Sequence, residues 1–155
     1  MSTLLRASDL GGLADRYAAD PARWPIRTQF DPAGRWYARL HRATDHEVWL
    51  ITWLPGQSTD LHDHGGSAGA FTVLEGRLTE QTPTRGAEAT LVERGYEAGA
   101  TRPFDARHVH RVVNAGTVPA VSVHVYAPEL TQMTLYELTG GALRALAVER
   151  AGKDW

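Results

Sequence analysis

The sequence contains no cysteine among its 155 residues. This absence excludes disulfide bonds, thiolate metal sites, iron–sulfur clusters and a cysteine nucleophile. An excess of positive charge is also lacking, because 16 Lys and Arg residues against 18 Asp and Glu residues give a formal net charge of -2. Nucleic-acid surfaces depend on clustered positive charge that follows the phosphates. We therefore expect no nucleic-acid partner.

Long hydrophobic runs are absent as well. The longest apolar stretches, such as residues 48–54, are much shorter than the roughly 20 residues that span a bilayer. The first nine residues show no cationic start followed by an apolar stretch, which a secretory signal would have. We expect a cytoplasmic protein with no membrane partner, and we expect it to be a monomer.

The local patterns predict a short helix followed by a strand-rich region. Ser8 is a candidate N-cap, and apolar residues recur at helical spacing until Asp20-Pro21. Nine short runs rich in β-branched and aromatic residues follow, separated by glycine-containing turns: 36–41, 47–54, 70–74, 77–81, 89–93, 109–113, 121–126, 134–138 and 142–148. Strands without intervening helices favour an all-β antiparallel sandwich or barrel. We expect one domain over residues 1–155, with an N-terminal segment (1–34), a barrel (35–130) and a C-terminal hairpin (131–155).

Two pairs of histidines have the spacing of neighbours on one strand face. His62 and His64 form one pair, and His108 and His110 form the other. Alternate residues of a strand point to the same side, so each pair can direct two rings into one space. Neutral imidazole is a common ligand of divalent transition metals. The pattern therefore predicts a metal site, although it does not separate His108 from His110.

The residues around these pairs resemble the two cupin motifs of the cysteine dioxygenase family. The first motif is Gly56-(x5)-His62-x-His64-(x4)-Gly69-(x6)-Gly76, and the second ends in His110-(x3)-Asn114. The resemblance covers about residues 35–130 and implies a jelly-roll cupin barrel. It also implies that His62, His64 and His110 hold a mononuclear iron(II), which places His108 outside the ligand set.

One departure from the usual cupin motif changes the chemistry of the expected site. Gly69 stands where the motif usually carries a glutamate. Three neutral imidazoles leave the charge of a divalent ion uncompensated, so such a site favours an anionic substrate group such as a thiolate. Some family members carry a cysteine at this position and link it to a tyrosine. This chain has no cysteine, so that tyrosine, Tyr126, is expected to be a free phenol.

A third constellation matches the serine–histidine–tyrosine arrangement of the same family. Ser122, His124 and Tyr126 alternate along one predicted strand and therefore share a face. The resemblance implies that these three residues are catalytic, with the hydroxyl of Tyr126 directed toward the iron site. Hydrogen bonds between them would fix the tautomer of His124.

Substrate recognition is expected to involve Tyr37, Arg39 and Trp53. Tyr37 and Arg39 share a face of the first predicted strand, and the resemblance implies that Arg39 binds the substrate carboxylate. Guanidinium and carboxylate groups form bidentate, charge-assisted pairs. Trp53 fits the family pattern nine residues before His62, although it also suits an ordinary core position.

These expectations combine into an iron-dependent dioxygenase that converts the small thiol L-cysteine and O2 to cysteine sulfinate. Related enzymes that oxidise 3-mercaptopropionate carry a glutamine in place of the arginine, so another small thiol is the nearest alternative. A non-catalytic metal-binding cupin that binds a small molecule is a second alternative. A zinc-dependent hydratase or isomerase is a third, because three histidines and water also suit zinc.

Overall fold

The computed structural model describes residues 5–151. A helix, α1 (Ala7–Ala19), and a 3-10 turn (Pro21–Arg23) come before the strands. The strands are β1 (Trp36–Arg42), β2 (Glu47–Trp53), β3 (Leu61–His62), β4 (Ala68–Glu75), β5 (Arg77–Pro83), β6 (Leu91–Glu97), β7 (Thr101–Phe104), β8 (Arg111–Val113), β9 (Ala120–Ala127), β10 (Gln132–Thr139) and β11 (Ala142–Arg150).

The strands form three antiparallel sheets. The largest has the order β1-β2-β9-β4-β7, and two three-stranded sheets have the orders β11-β10-β3 and β6-β5-β8. The two smaller sheets meet at isolated bridges that join Ser58 to Val113 and His62 to His110. Apolar side chains from all three sheets, including Phe71, Leu78 and Met133, pack into one interior cluster. The predicted all-β architecture with an N-terminal helix is confirmed.

The two central strands of the large sheet are buried on both faces. On β9, Val121, Val123 and Val125 pack under α1, while the residues between them point into the interior. The helix contributes Leu10 and Ala14 to the outer layer. A strand with alternating apolar and polar residues usually has one face exposed to solvent. Here the helix covers the apolar face, so the polar residues of β9 lie inside the protein.

The element boundaries differ from the sequence-based predictions at several places. Arg6, not Ser8, is the N-cap of α1, and its backbone N–H donates to Asp9 Oδ2 at 3.0 Å. Strands β3 and β7 were not predicted, because they are only two and four residues long. Strand β6 extends to Glu97 through Gly95, where the missing side chain leaves room for Arg77 of the neighbouring strand.

The terminal hairpin was predicted correctly. Strands β10 and β11 pair in antiparallel register across Gly140 and Gly141, which both have positive φ angles. Within residues 5–151, no helix is long and apolar enough to cross a membrane.

Candidate metal centre

Three histidines converge inside the protein. His62 ends β3, His64 follows in the next turn, and His110 comes directly before β8. One ring nitrogen from each lies within 4.8 Å of those of the other two. The ring centroids form a nearly equilateral triangle with sides of 4.9 Å (His62–His64), 4.8 Å (His62–His110) and 4.9 Å (His64–His110). All three residues are buried, which is the arrangement of a facial set of metal ligands.

Backbone pairing sets the position of two of these ligands. The N–H of His62 donates to the carbonyl of His110 at 3.0 Å, and the N–H of His110 donates to the carbonyl of His62 at 3.0 Å. Two residues that exchange both hydrogen bonds in an antiparallel pair carry their side chains on the same face. The bridge between the small sheets therefore directs both imidazoles to one point.

The Nδ1 atoms of the same two rings are held by oxygen acceptors. His62 Nδ1 lies 2.8 Å from the carbonyl oxygen of Asp60, and His110 Nδ1 lies 2.7 Å from Glu80 Oε2. A carbonyl or carboxylate oxygen accepts a hydrogen bond, so each Nδ1 carries the proton. The Nε2 lone pair of each ring is then available to a metal.

His64 is oriented by ring contacts. It stacks on Phe104 with centroids 4.6 Å apart, and on Tyr126 with centroids 5.6 Å apart. Its side chain is only 1% exposed, and within the described chain neither of its ring nitrogens has a hydrogen-bond partner. A buried polar atom without a partner is costly. A metal ion would satisfy one of these nitrogens, so the three residues fit the metal that the sequence predicts.

The absence of the usual glutamate is explained by close packing at Gly69. A Cβ at this position would lie 2.5 Å from Phe104 Cζ and 2.9 Å from the carbonyl oxygen of Val125. The aromatic ring that stacks on His64 therefore occupies the space that a longer side chain would need. Among the described residues, no carboxylate belongs to the same ligand group as His62 and His64.

His108 contacts the carboxylate of Glu80 and does not belong to the group formed by His62, His64 and His110. Its Nε2 lies 3.0 Å from Glu80 Oε2, the oxygen that also contacts His110. Arg102 Nε donates to the second oxygen of Glu80 at 3.0 Å. Glu80, His108 and His110 also form a possible metal-binding group by distance, but a guanidinium beside the carboxylate disfavours a cation there. That His108 lies outside the ligand set stays a prediction.

The predicted Ser122, His124 and Tyr126 lie close together inside the protein, and all three are buried. Ser122 Oγ and His124 Nε2 are 2.7 Å apart, and Trp53 Nε1–H donates to Ser122 Oγ at 2.9 Å. The link from His124 Nδ1 to the hydroxyl of Tyr126 is longer, at 3.5 Å. Trp53 therefore holds the serine that contacts the histidine, in addition to its place in the core.

Burial determines the ionisation of the polar groups around the centre. It lowers the pKa of His124 to about 3 and raises the pKa of Tyr126 above its ordinary value. Burial also lowers the pKa of His62 and His64 well below the ordinary value of 6.5. Burial raises the pKa of Glu80, but hydrogen bonds from His108 and His110 outweigh it and leave the net pKa below its ordinary value. At neutral pH the rings of His62, His64 and His124 are neutral and Tyr126 is a phenol.

A cavity of about 50 Å3 opens beside the histidines. One water molecule needs roughly 10–15 Å3 of such space, so the size favours a ligand of a few heavy atoms. The cavity is lined by both charged and apolar side chains: Arg35, Ile51, Trp53, Thr59, Asp60, His62, His110, Val112, His124, Tyr126, Met133, Leu135 and Glu149.

Arg35 provides a positive charge in this cavity. Its guanidinium carbon lies 5.4 Å from the centre of the Trp53 ring, and burial lowers its pKa below the ordinary value. Asp60 and Glu149 also line the cavity, and their carboxylates attract the guanidinium electrostatically. The half-buried guanidinium faces the cavity, where it can donate hydrogen bonds to an anionic ligand.

The structure does not bring Arg39 to the cavity, which corrects the sequence-based expectation. Arg39 is 42% exposed, and its Nη1 lies 3.6 Å from Glu47 Oε2 in a separate surface groove. Tyr37 packs with Trp49 at a centroid distance of 6.0 Å and does not line the cavity either. Arg35 and Arg39 share a strand face, but four extended residues separate them by roughly 13 Å. The period-two pattern identifies the face and not the position along it.

The period-two pattern did not predict Arg35 as a site residue, because it does not give the position along the strand. It did not predict Glu80 either. Glu80 occupies an inward position of β5, two residues after the buried Leu78. A charged residue at a core-facing position is the signal that could have drawn attention to it. Arg102 and Phe104 lie on β7, a strand that the sequence pattern did not reveal.

Comparison with known proteins agrees with this site. The family described as cysteine dioxygenase type I matches residues 3–139. The chain belongs to this family. It is 25% identical over 153 residues to cysteine dioxygenase type 1 of Danio rerio, covering 90% of this chain and 74% of that protein. It is also 25% identical to the Rattus norvegicus protein of the same name, covering 80% of this chain and 66% of the relative, just under two thirds of its length.

Solved structures with low sequence identity show the fold of the family. A Klebsiella pneumoniae protein with a double-stranded β-helix domain has a TM-score of 0.56 at 16% identity, covering 95% of this chain and 99% of that one. An RmlC-like cupin from Desulfovibrio desulfuricans has a TM-score of 0.53 at 17% identity, covering 69% and 94% respectively. The chain therefore has the cupin fold.

Acidification is expected to destabilise the metal-free protein. The pKa of His124 is about 3 in the folded state against an ordinary value of 6.5. Between these values the unfolded chain binds the proton and the folded chain does not, so this stability is fully present above pH 6.5 and is lost as the pH falls toward 3. One such group gives a slope of about 1.4 kcal/mol per pH unit.

The check is the free energy of unfolding, measured with urea at pH 7, 6 and 5. A His124→Asn variant removes one of the groups, so its dependence on pH should be shallower, with the difference approaching about 1.4 kcal/mol per unit only below pH 6. Equal slopes for the two proteins would contradict the proposed ionisation of His124.

Proposed function

We propose that the protein is an iron(II)-dependent thiol dioxygenase that converts L-cysteine and O2 to cysteine sulfinate. The observation that carries the proposal is the juxtaposition of Arg35 with the three-histidine site in one small cavity. A ligand that spans the two needs an anionic group at one end and a metal-binding group at the other. A small thiol carboxylic acid has both.

The ligand set suits a thiolate substrate. Three neutral imidazoles add no negative charge to a divalent ion, so the charge is left for substrate groups to balance. His62, His64 and His110 would hold the ion, and when bound iron(II) supplies the redox chemistry that a reaction with O2 requires. Both oxygen atoms pass to the sulfur, so the thiolate becomes a sulfinate and no further reductant is consumed.

Arg35 fixes the other end of the substrate. Its guanidinium donates two parallel hydrogen bonds to a carboxylate, which is the strongest polar arrangement available in the cavity. Trp53 lies against the guanidinium and limits its movement. Holding the carboxylate keeps the sulfur at the histidine end, so the reacting groups meet within one bound complex.

Tyr126 supplies a neutral hydroxyl between the two ends of the cavity. Burial keeps its pKa high, so it is a hydrogen-bond donor at neutral pH. His124 and Ser122 lie behind it on the same strand and limit its orientation. The apolar walls, among them Ile51 and Leu135, exclude bulk water from the reacting sulfur.

The direct test is oxygen consumption by protein loaded anaerobically with iron(II). We expect O2 uptake on addition of L-cysteine, with one sulfinate formed for each O2 consumed. Zinc-loaded protein is the control and should consume no O2, because zinc has no redox chemistry. Faster turnover of 3-mercaptopropionate would identify another small thiol as the substrate, and ligand binding without uptake would identify a non-catalytic cupin.

Replacing Arg35 by glutamine removes the charge that binds the carboxylate. We expect kcat/KM for L-cysteine to fall roughly 10- to 100-fold in R35Q, the usual loss for a charged hydrogen bond. The matched control is R39Q, which makes the same change outside the cavity and should stay within about twofold of the wild type. A larger loss in R39Q than in R35Q would restore Arg39 as the carboxylate ligand.

Replacing Tyr126 by phenylalanine tests the hydroxyl separately from the ring. Y126F retains the ring that stacks on His64, so iron content should be unchanged. Turnover should fall on the order of tenfold or more, because a positioned donor is lost. The O2 consumed per sulfinate should also rise. Wild-type rate and coupling would show that the Ser122, His124 and Tyr126 group is structural.

A further inference from the structure

Both oxygens of the Glu80 carboxylate lie within hydrogen-bonding distance of nitrogen donors. Oε2 lies 2.7 Å from His110 Nδ1 and 3.0 Å from His108 Nε2, and Oε1 lies 3.0 Å from Arg102 Nε. The side chain is 2% exposed. A buried carboxylate is retained only where paired and hydrogen-bonded. The cluster meets that condition completely, which indicates a built arrangement.

The register of the strands places Glu80 behind His110. Glu80 pairs with Val112 across β5 and β8, and His110 lies two residues before Val112 and so points to the same face. Glu80 therefore approaches His110 from the side opposite the triangle of metal ligands. The carboxylate reaches Nδ1, while Nε2 faces the metal position.

We propose that Glu80 is a positioning residue for the metal centre: it fixes His110 as the tautomer that presents Nε2 to the ion. It also places a negative charge one hydrogen bond away from an otherwise neutral ligand set. This inference rests on the metal centre of the proposed function, but not on its substrate. A carboxylate in this position makes the imidazole a stronger ligand.

Among the described residues, the other two candidate ligands, His62 and His64, have no charged hydrogen-bond partner. His62 Nδ1 is held by the backbone carbonyl of Asp60, a neutral acceptor, and His64 is held by stacked rings. Among the ligands in the described chain, only His110 has a charged partner on its distal nitrogen. Arg102 and His108 hold the carboxylate in place, and the His108 ring also lies edge-on to His110 with a centroid distance of 4.8 Å.

The main experiment compares E80Q with the wild type by metal titration without thiol or O2. Glutamine preserves the shape of the side chain but removes its charge. We expect E80Q to retain the wild-type circular dichroism spectrum and to bind iron(II) or cobalt(II) about 10- to 100-fold more weakly. E80D keeps the charge on a shorter side chain and should recover part of the loss. Wild-type affinity in E80Q would overturn the proposal.

The matched control is E93Q. Glu93 lies on the neighbouring strand β6, where it accepts a hydrogen bond from Gln81 on the exposed surface. The same chemical change there should leave metal affinity within about twofold of the wild type. A loss in E93Q as large as in E80Q would show that charge in general, and not the contact with His110, determines the affinity.

A second measurement needs no variant. Nitrogen-15 NMR of metal-free wild-type protein should show His110 protonated at Nδ1 and unprotonated at Nε2, which a merely structural role of Glu80 would not require. The reverse assignment would overturn the proposal even if E80Q does not fold. Binding of two metal equivalents, one of them lost in E80Q, would instead make Glu80 a ligand and also overturn it. Neither readout uses thiol oxidation, so failure of the proposed function would be seen separately.

Discussion

A single backbone bridge determines the geometry of the metal centre. His62 and His110 exchange both of their hydrogen bonds where the two small sheets meet, so the two rings cannot separate without opening the barrel. The remaining orientation of each ligand comes from a different source: a carbonyl for His62, stacked rings for His64 and a carboxylate for His110. These contacts limit the movement of each ring, so little ordering entropy has to be lost when a metal binds.

Period-two patterning predicted most of the fold and the polar part of the site. Alternate residues of a strand share a face whatever the surrounding structure, so the grouping of Ser122, His124 and Tyr126 follows directly from their spacing. The histidine pairs were predicted on the same basis, but of these four residues only His62 lies in a strand, β3. The sequence pattern did not show that the polar face of β9 is buried. Its burial depends on α1, which covers the opposite, apolar face of the strand. The choice between His108 and His110 came from the resemblance and not from the spacing.

The period-two pattern could not predict how far apart two residues lie along one strand or on different strands. Arg35 and Arg39 have the same parity, and only the position of the first strand relative to the cavity separates them. Glu80 meets His110 through strand pairing between β5 and β8, which are about thirty residues apart in the chain. Contacts of this kind depend on register, and register is set by the whole sheet rather than by a local segment.

The packing at Gly69 restricts how this site can diverge. A cupin that uses a glutamate ligand needs a long side chain at this position, where Phe104 now lies against the backbone. Phe104 also supports His64, so shrinking it to admit a carboxylate would loosen an existing ligand. Neither substitution is useful alone. Conversion to a mixed histidine–carboxylate centre therefore requires two coordinated changes, and the all-imidazole chemistry is protected against drift by single mutations.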